Sequence, residues 1–311
     1  MSIISQKVPI FVQKFRIMKQ IILILALFLA LPLTGNAKKR AFLVGISTYR
    51  ANGRTAWNNI HGKNDVDSLA PALAKKGFTI ISLVNEQATY QGITASLKKF
   101  IADTKSGDVV YIHFSSHGQP VEDGLIKGFE KDEADGWDEA IVPIDAGKTY
   151  GVNGYKGEKH LTDDELNVYF KLLRNRIGPK GMLYVAMDAC HAGEMSRNGI
   201  ETVRGTNEAL SQDASNKYNP PRSNIRHYRA EKSSGMSPAL YIEACQSRER
   251  NTEIRINGKE YGALSYNIWQ ALNNMGVFGK NAQEFKAQVE GSAKAKDRWP
   301  RTQTLVIEST F

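Results

Sequence analysis

The chain has 311 residues, 41% of them hydrophobic and 23% charged. That balance excludes a disordered polymer and is enough to bury a core as one large domain or two small ones. The formal net charge is +9, but Lys7, Lys14, Arg16 and Lys19 all lie in the first 37 positions, leaving about +5 beyond them. Without Lys/Arg clusters interleaved with aromatics, this excess carries no nucleic-acid footprint beyond a generic positive surface.

Residues 1–37 read as a secretory signal peptide. Met18-Lys19-Gln20 precedes the apolar run IILILALFLALPL, which is too short to span a bilayer comfortably, and Gly35-Asn36-Ala37 offers the small residues of a cleavage site. The true start is expected at Met18. No cysteine lies near the cleavage site, so neither a lipid nor a stable membrane anchor is expected. The mature chain, 38–311, is then exported, remaining periplasmic or secreted.

Beyond the leader, strand-like and helix-like segments alternate. RAFLVGIS (40–47) suits a buried parallel strand. DVDSLAPALAKKG (65–77) carries Val66, Leu69 and Leu73 at helical spacing and stops at Gly77. FTIISLV (78–84) is a second strand, and Thr89 caps a helix with Ile93, Leu97 and Ile101 on one face. DVVYIHFSSHG (108–118) is a third strand. Thr162 and Glu165 stand at capping-box spacing ahead of a helix ending at Gly178. MLYVAMDAC (182–190) and PALYIEAC (238–245) are the fourth and fifth strands, two helices follow within 261–296, and TQTLVIES (302–309) is the last strand. The pattern predicts an α/β fold with a mainly parallel six-stranded sheet and helices on both faces. Two segments interrupt it: the glycine-rich, acidic 121–159, read as a hairpin with an ion or substrate role, and the polar 195–237, read as an exposed mobile loop.

In such a sheet, chemistry gathers at the carboxyl ends of the strands. His117 and Cys190 fall there, 73 positions apart. A cysteine becomes a nucleophile when a nearby base takes its proton, and imidazole is the natural base near neutral pH. His191 points elsewhere from a turn, whereas His117 arrives from another strand end. Gly118 lets the chain turn tightly, and backbone N–H groups at Gly118 and Cys190 are placed to cradle an oxyanion. The bland alternative, two strand-end residues capped by turns, fits either alone better than both together. Cys190 and Cys245 each end an apolar run, which favours one reactive thiol and one buried small residue over a disulfide. His113 in mid-strand and the four tryptophans, Trp57, Trp137, Trp269 and Trp299, read as packing or pocket walls.

These segments resemble the caspase-like cysteine peptidases (clan CD, family C14), most like a bacterial metacaspase. RAFLVGIS, GKNDVDSL, GDVVYIHFSSHG, DEADGWDEAIVPID, LTDDEL and DACHAG follow the family's order across essentially the whole mature chain. The resemblance implies a caspase-like α/β/α sandwich, His117 as general base and Cys190 as nucleophile. It also implies a primary specificity pocket lined by Asp65, Ser115 and Asp188, and protein or peptide substrates with Arg or Lys before the scissile bond. Asp188 fits that role independently: two residues before Cys190 on one strand, it shares its face, and a shielded carboxylate pairs well with a guanidinium. The chain departs from the pattern at Ser116, Ala189 and Ala192, none catalytic, and at Gly62, where many metacaspases have a cysteine.

The chemistry itself needs no cofactor. Calcium activates many metacaspases, and Asp132, Asp135 and Asp145 are candidate ligands, with a merely solvated acidic loop as the alternative; the spacing does not fit an EF-hand. Arg197, Arg204, Lys217, Arg222, Arg226, Arg229 and Lys232 make 195–237 a natural site of self-processing, or else a solvated basic loop that is never cut. A catalytically silent caspase-fold scaffold is the competing functional class, though a decayed copy would be expected to lose His117 or Cys190. A phosphate-binding module is disfavoured because VGISTYRANGR lacks the spacing and lysine of a phosphate loop. Oligomeric state is not readable.

Overall fold

The computed structural model describes residues 37–49, 56–126, 135–190, 202–206, 208–219, 232–295 and 298–311. The signal-peptide reading, His191, Ala192 and Asp132 lie outside the described residues, as do parts of the 121–159 and 195–237 segments. In chain order the elements begin with β1 (Lys39–Gly45), α1 (Gly62–Lys75), β2 (Phe78–Val84), α2 (Tyr90–Asp103) and β3 (Val109–Ser115). Next come β4 (Gly118–Glu122), β5 (Trp137–Ile141), β6 (Leu161–Thr162), α3 (Asp163–Ile177) and β7 (Met182–Asp188). The chain closes with β8 (Ala239–Glu243), β9 (Glu253–Ile256), β10 (Lys259–Gly262), α4 (Ala263–Asn274), α5 (Ala282–Ala293) and β11 (Val306–Ser309).

The six strands expected from the sequence form one sheet in the order β11-β8-β7-β3-β1-β2, all neighbours parallel except β11 against β8. Alternation along the central strands feeds two cores. Phe42, Val44, Ile112, Phe114, Val185 and Met187 face Ile93, Leu97 and Phe100 of α2 and Leu166, Phe170 and Leu173 of α3. Ala41, Leu43, Tyr111, Tyr184 and Ala186 face Leu69 and Leu73 of α1, Ile268 of α4 and Phe285 of α5. β3 and β7, covered on both sides, are buried at every position, as central parallel strands are. Among the described residues no helix is long and apolar enough to cross a membrane.

Two small sheets went unread or half-read. Segment 121–159 contributes the expected hairpin, but as β4 and β5 of a three-stranded sheet with β6. β9 and β10 form a second hairpin around Asn257 and Gly258, both at positive φ. Gly118 makes no left-handed turn; it opens β4 directly. Thr89 caps α2 through the Gly92 N–H as expected. The box at α3 is only half made: Thr162 accepts from the Glu165 N–H, while the Glu165 carboxylate takes the hydroxyls of Tyr90 and Tyr169 instead.

Candidate active site

The register of β3 and β7 pairs Ser115 with Asp188. His117 and Cys190 each stand two residues beyond that pair, so the two expected catalytic residues emerge at matched positions on neighbouring strand ends. His117 is held from several sides. Its N–H donates to the Tyr49 hydroxyl at 3.0 Å, and Trp57 stacks on its ring with centroids 5.0 Å apart. Its Nε2 meets the Asn58 carbonyl oxygen at 2.8 Å. A carbonyl can only accept, so the imidazole proton sits on Nε2 and Nδ1 carries the lone pair. Among the described residues Nδ1 has no hydrogen-bond partner. Burial pushes the His117 pKa down to about 4, leaving a neutral ring able to take a proton.

Cys190 and Cys245 are both buried, neither is in a disulfide, and they pack together beside Tyr218. The Cys190 thiol donates to the Glu249 carbonyl at 2.7 Å, and Cys245 lies 3.8 Å from the same oxygen. Cys245 is therefore the small buried residue expected, but one in contact with the nucleophile candidate.

The structure brings Asp65, Ser115 and Asp188 together and shows what fills the space between them: Arg204. This residue was expected on an exposed, mobile loop; instead it is fully buried, as are Val203, Thr206 and Leu210. Its Nη2 lies 2.8 Å from Asp65 and 2.9 Å from Glu253, its Nη1 lies 3.7 Å from Asp188 and donates to Ser115 Oγ at 2.6 Å, and its Nε donates to Glu253 at 3.0 Å. The Nη2 contacts are charge pairs, not aligned hydrogen bonds. The physical reason for the burial is charge: a guanidinium among carboxylates is the cheapest neutraliser available to them.

The main chain of this segment is equally engaged. The Arg204 carbonyl accepts from the Cys190 N–H at 3.0 Å and the Gly118 N–H at 3.3 Å, the two groups expected to form an oxyanion cradle. The Arg204 N–H donates to Asn251 O and the Glu253 N–H to Thr202 O, both at 2.9 Å, an antiparallel pairing about Val203 and Thr252. On the other side Gly205 bridges Gly118 and Leu210 bridges Val121, now in parallel register with β4. The chain thus crosses the tips of β3 and β7 in extended form, with the Arg204–Gly205 bond over the site.

Asp188 accepts from Ser265 N (2.8 Å), Ser265 Oγ (2.6 Å) and Asn251 Nδ2 (2.7 Å). Because Ser265 Oγ spends its proton on Asp188, it accepts from His113 Nε2 at 3.0 Å, while His113 Nδ1 accepts from Tyr111. His113 is packed, as expected, yet it braces the pocket. Burial pushes Asp65 up to about 7 against the pull of Arg204, with Asp188 adding to the rise. Gly262 ends β10 against Asp65 and Asp188: its N–H reaches Asp65 at 3.1 Å, and a Cβ there would fall 2.1 Å from Asp188 Oδ2.

Sequence reasoning missed Glu253, Asn251, Ser265, Tyr49 and Asn58, none of which lies inside the family motifs. Only Glu253 had a readable pointer, the Asn257-Gly258 hairpin turn that follows it. Of the three candidate calcium ligands, Asp135 and Asp145 lie among the described residues. Asp145 caps α2 through the Tyr90 N–H at 2.8 Å and pairs with Lys159 at 3.3 Å, and Asp135 accepts from the Trp137 N–H. Among the described residues there is no group of three His, Cys, Asp or Glu side chains that could hold a metal.

A six-stranded, mainly parallel sheet with a histidine and a cysteine on adjacent central strand tips is the architecture of the caspase-like proteins. The caspase-domain family model of peptidase family C14 matches residues 38–305, and the chain belongs to that family. It is similar to several metacaspases. Metacaspase-1 of Lodderomyces elongisporus is 25% identical over 76% of this chain and 58% of its own length. Metacaspase-1 of Schizosaccharomyces pombe is 24% identical over 75% and 59%, and Metacaspase-3 of Arabidopsis thaliana 25% identical over 77% and 60%. The chain therefore spans less than two thirds of the length of these relatives. The crystal structure of protein GSU0716 from Geobacter sulfurreducens superimposes with a TM-score of 0.56 at 20% identity, covering 88% of this chain and 93% of that one, and attests the fold.

Proposed function

We propose that this protein is a cysteine endopeptidase that hydrolyses peptide bonds after arginine or lysine, with Cys190 as nucleophile and His117 as base, and that its first substrate is its own Arg204–Gly205 bond. The observation that carries this reading is the seating of Arg204: its side chain lies among Asp65, Asp188 and Glu253 while its carbonyl accepts from the Gly118 and Cys190 N–H groups. A scaffold without activity would have no reason to combine a basic-residue pocket, two convergent N–H donors and a neutral, buried imidazole at one bond.

The chemistry follows from the geometry. The Cys190 thiol leaves the Glu249 carbonyl, passes its proton to His117 Nδ1 and adds as thiolate to the Arg204 carbonyl carbon. Negative charge then develops on the oxygen already bound by two N–H groups. The Arg204–Gly205 C–N bond breaks, His117 returns the proton to the departing amine, and water hydrolyses the thioester with His117 again as base.

The test is mass spectrometry of wild type beside Cys190→Ala: the wild type is expected as two fragments divided after Arg204, the variant intact. Matched fluorogenic peptides ending in Arg, Lys and Asp complete it, and a preference for Asp would refute the specificity. Export rests on the residues 18–37 pattern alone and is checked by N-terminal sequencing of the exported form, expected to begin at Lys38.

A further inference from the structure

Asp65 and Asp188 meet the far end of Arg204, where the terminal charge of any basic residue would arrive. Glu253 meets it elsewhere. Its Oε1 accepts from Nε at 3.0 Å and lies 2.9 Å from Nη2. The carboxylate is fixed, not adaptable: the His61 N–H donates to Oε1 at 2.7 Å and His61 Nδ1 meets Oε2 at 2.5 Å. Its own backbone N–H is bonded to Thr202, the residue two before the arginine, so main-chain docking and side-chain docking are registered on one residue. We propose that Glu253 makes this site selective for arginine over lysine, by accepting the Nε–H of the residue before the scissile bond; this rests on the peptidase reading above.

The reason is covalent geometry. Lysine has a methylene where arginine has Nε, and its single nitrogen falls where arginine has Cζ, one bond short of Nη2. A lysine in this pocket leaves Oε1 one donor short, with carbon where Nε–H had been and the His61 N–H still in place, and a charged acceptor buried short of a donor is penalised more than a missing contact. Burial alone would push the Glu253 carboxyl up, but Arg204 and His61 outweigh it and hold it below the usual carboxylate range, so the acceptor is ionised. His61 is not itself a binding residue; it orients Glu253 from the half-exposed rim.

The experiment compares kcat/KM for peptides differing only in Arg or Lys before the cut, in wild type and Glu253→Gln. Wild type is expected to favour Arg by about tenfold to a hundredfold. The variant is expected to lose roughly tenfold or more on Arg and less than about threefold on Lys, so that the ratio collapses. A wild type that cuts both peptides with a ratio Glu253→Gln leaves unchanged overturns the assignment while leaving the peptidase reading intact. A wild type that cuts neither overturns that reading, and the assignment with it. Should Glu253→Gln fail to fold, Arg204→Lys in the otherwise native chain asks the same question in cis: slower self-cleavage by a similar factor is expected, and an undiminished rate refutes the role.

Discussion

Arg204→Gln in a Cys190→Ala background isolates what the resident arginine contributes, because neither chain can be cut. Three carboxylates, Asp65, Asp188 and Glu253, are buried around one guanidinium whose side chain is 0% exposed. Removing the cation leaves charges without compensation, which in buried pairs costs about 3–5 kcal/mol. For a domain of this size each kcal/mol moves Tm by about 2–4 °C, so a fall on the order of 10 °C is expected. The loss depends on pH with a determinate sign. Asp65 is already pushed up to about 7 with Arg204 present, and higher still without it. A carboxyl with a raised folded-state pKa is tolerated when protonated and destabilises the fold as pH rises, so the drop is expected to be larger at pH 8 than at pH 6. Thermal melts of both variants at the two pH values, with and without millimolar agmatine as a small guanidinium, form the assay. Agmatine should restore part of the loss in the Gln variant and do little to its parent. A Tm within about 1 °C of the parent at pH 8 would refute the claim that the guanidinium stabilises the pocket.

Other consequences are testable by simpler means. Burial pushes His113 and His117 down to about 4 and His160 to about 3. The unfolded chain therefore binds their protons first, and stability should fall as pH drops from about 6.5 toward 4, by up to roughly 3 kcal/mol per histidine; a flat Tm across that window contradicts their burial. Ser265→Ala removes one Asp188 donor and strands His113, and should raise KM for arginyl peptides about tenfold with little change in kcat, equal losses in both arguing for general disruption instead. Asp145→Ala should lower Tm by a few degrees through the lost Tyr90 cap and Lys159 pair, without shifting any calcium dependence of activity; a shifted calcium midpoint would identify Asp145 as a ligand.

The main sheet was legible because central parallel strands announce themselves as continuous apolar runs, and each of the six was placed within a few residues. The placement of His117 and Cys190 was legible because both end strands that pair in the central sheet, and Asp188 because alternation puts it on the face of Cys190. What could not be read was long-range. Nothing in Arg204's neighbourhood of sequence distinguishes it from the other basic residues of a polar segment; its burial is decided by three carboxylates 139, 16 and 49 positions away, on α1, β7 and β9. The oddity of Gly62 resolves the same way. A Cβ there would lie 2.3 Å from the Ser115 carbonyl and 2.7 Å from that of Ile46, so the tight entry of α1 against the tips of β1 and β3 excludes a cysteine in this chain. The half-made capping box at α3 shows the converse, a local motif overruled when the hydroxyls of Tyr90 and Tyr169 offer Glu165 better partners.

On the proposed peptidase reading, specificity and stability are the same electrostatic problem in this protein. Asp65 and Asp188 are fully buried and Glu253 nearly so, an arrangement that is unfavourable without a cation among them. Before cutting, the cation is Arg204, delivered by the chain itself at a high effective concentration. On the proposed self-cleavage, Arg204 becomes a chain terminus still held by its side chain, its carbonyl oxygen and the Thr202–Arg204 pairing, while the segment beyond it remains bonded to β4 through Leu210. An incoming substrate must then supply a cation of its own, a guanidinium best of all, to displace the arginine that leaves. On the proposed specificity, the same charges that stabilise the uncut chain select substrates with a basic residue, and a self-cleavage that leaves Arg204 in place would inhibit the enzyme by its own product until a better-paired arginine arrives.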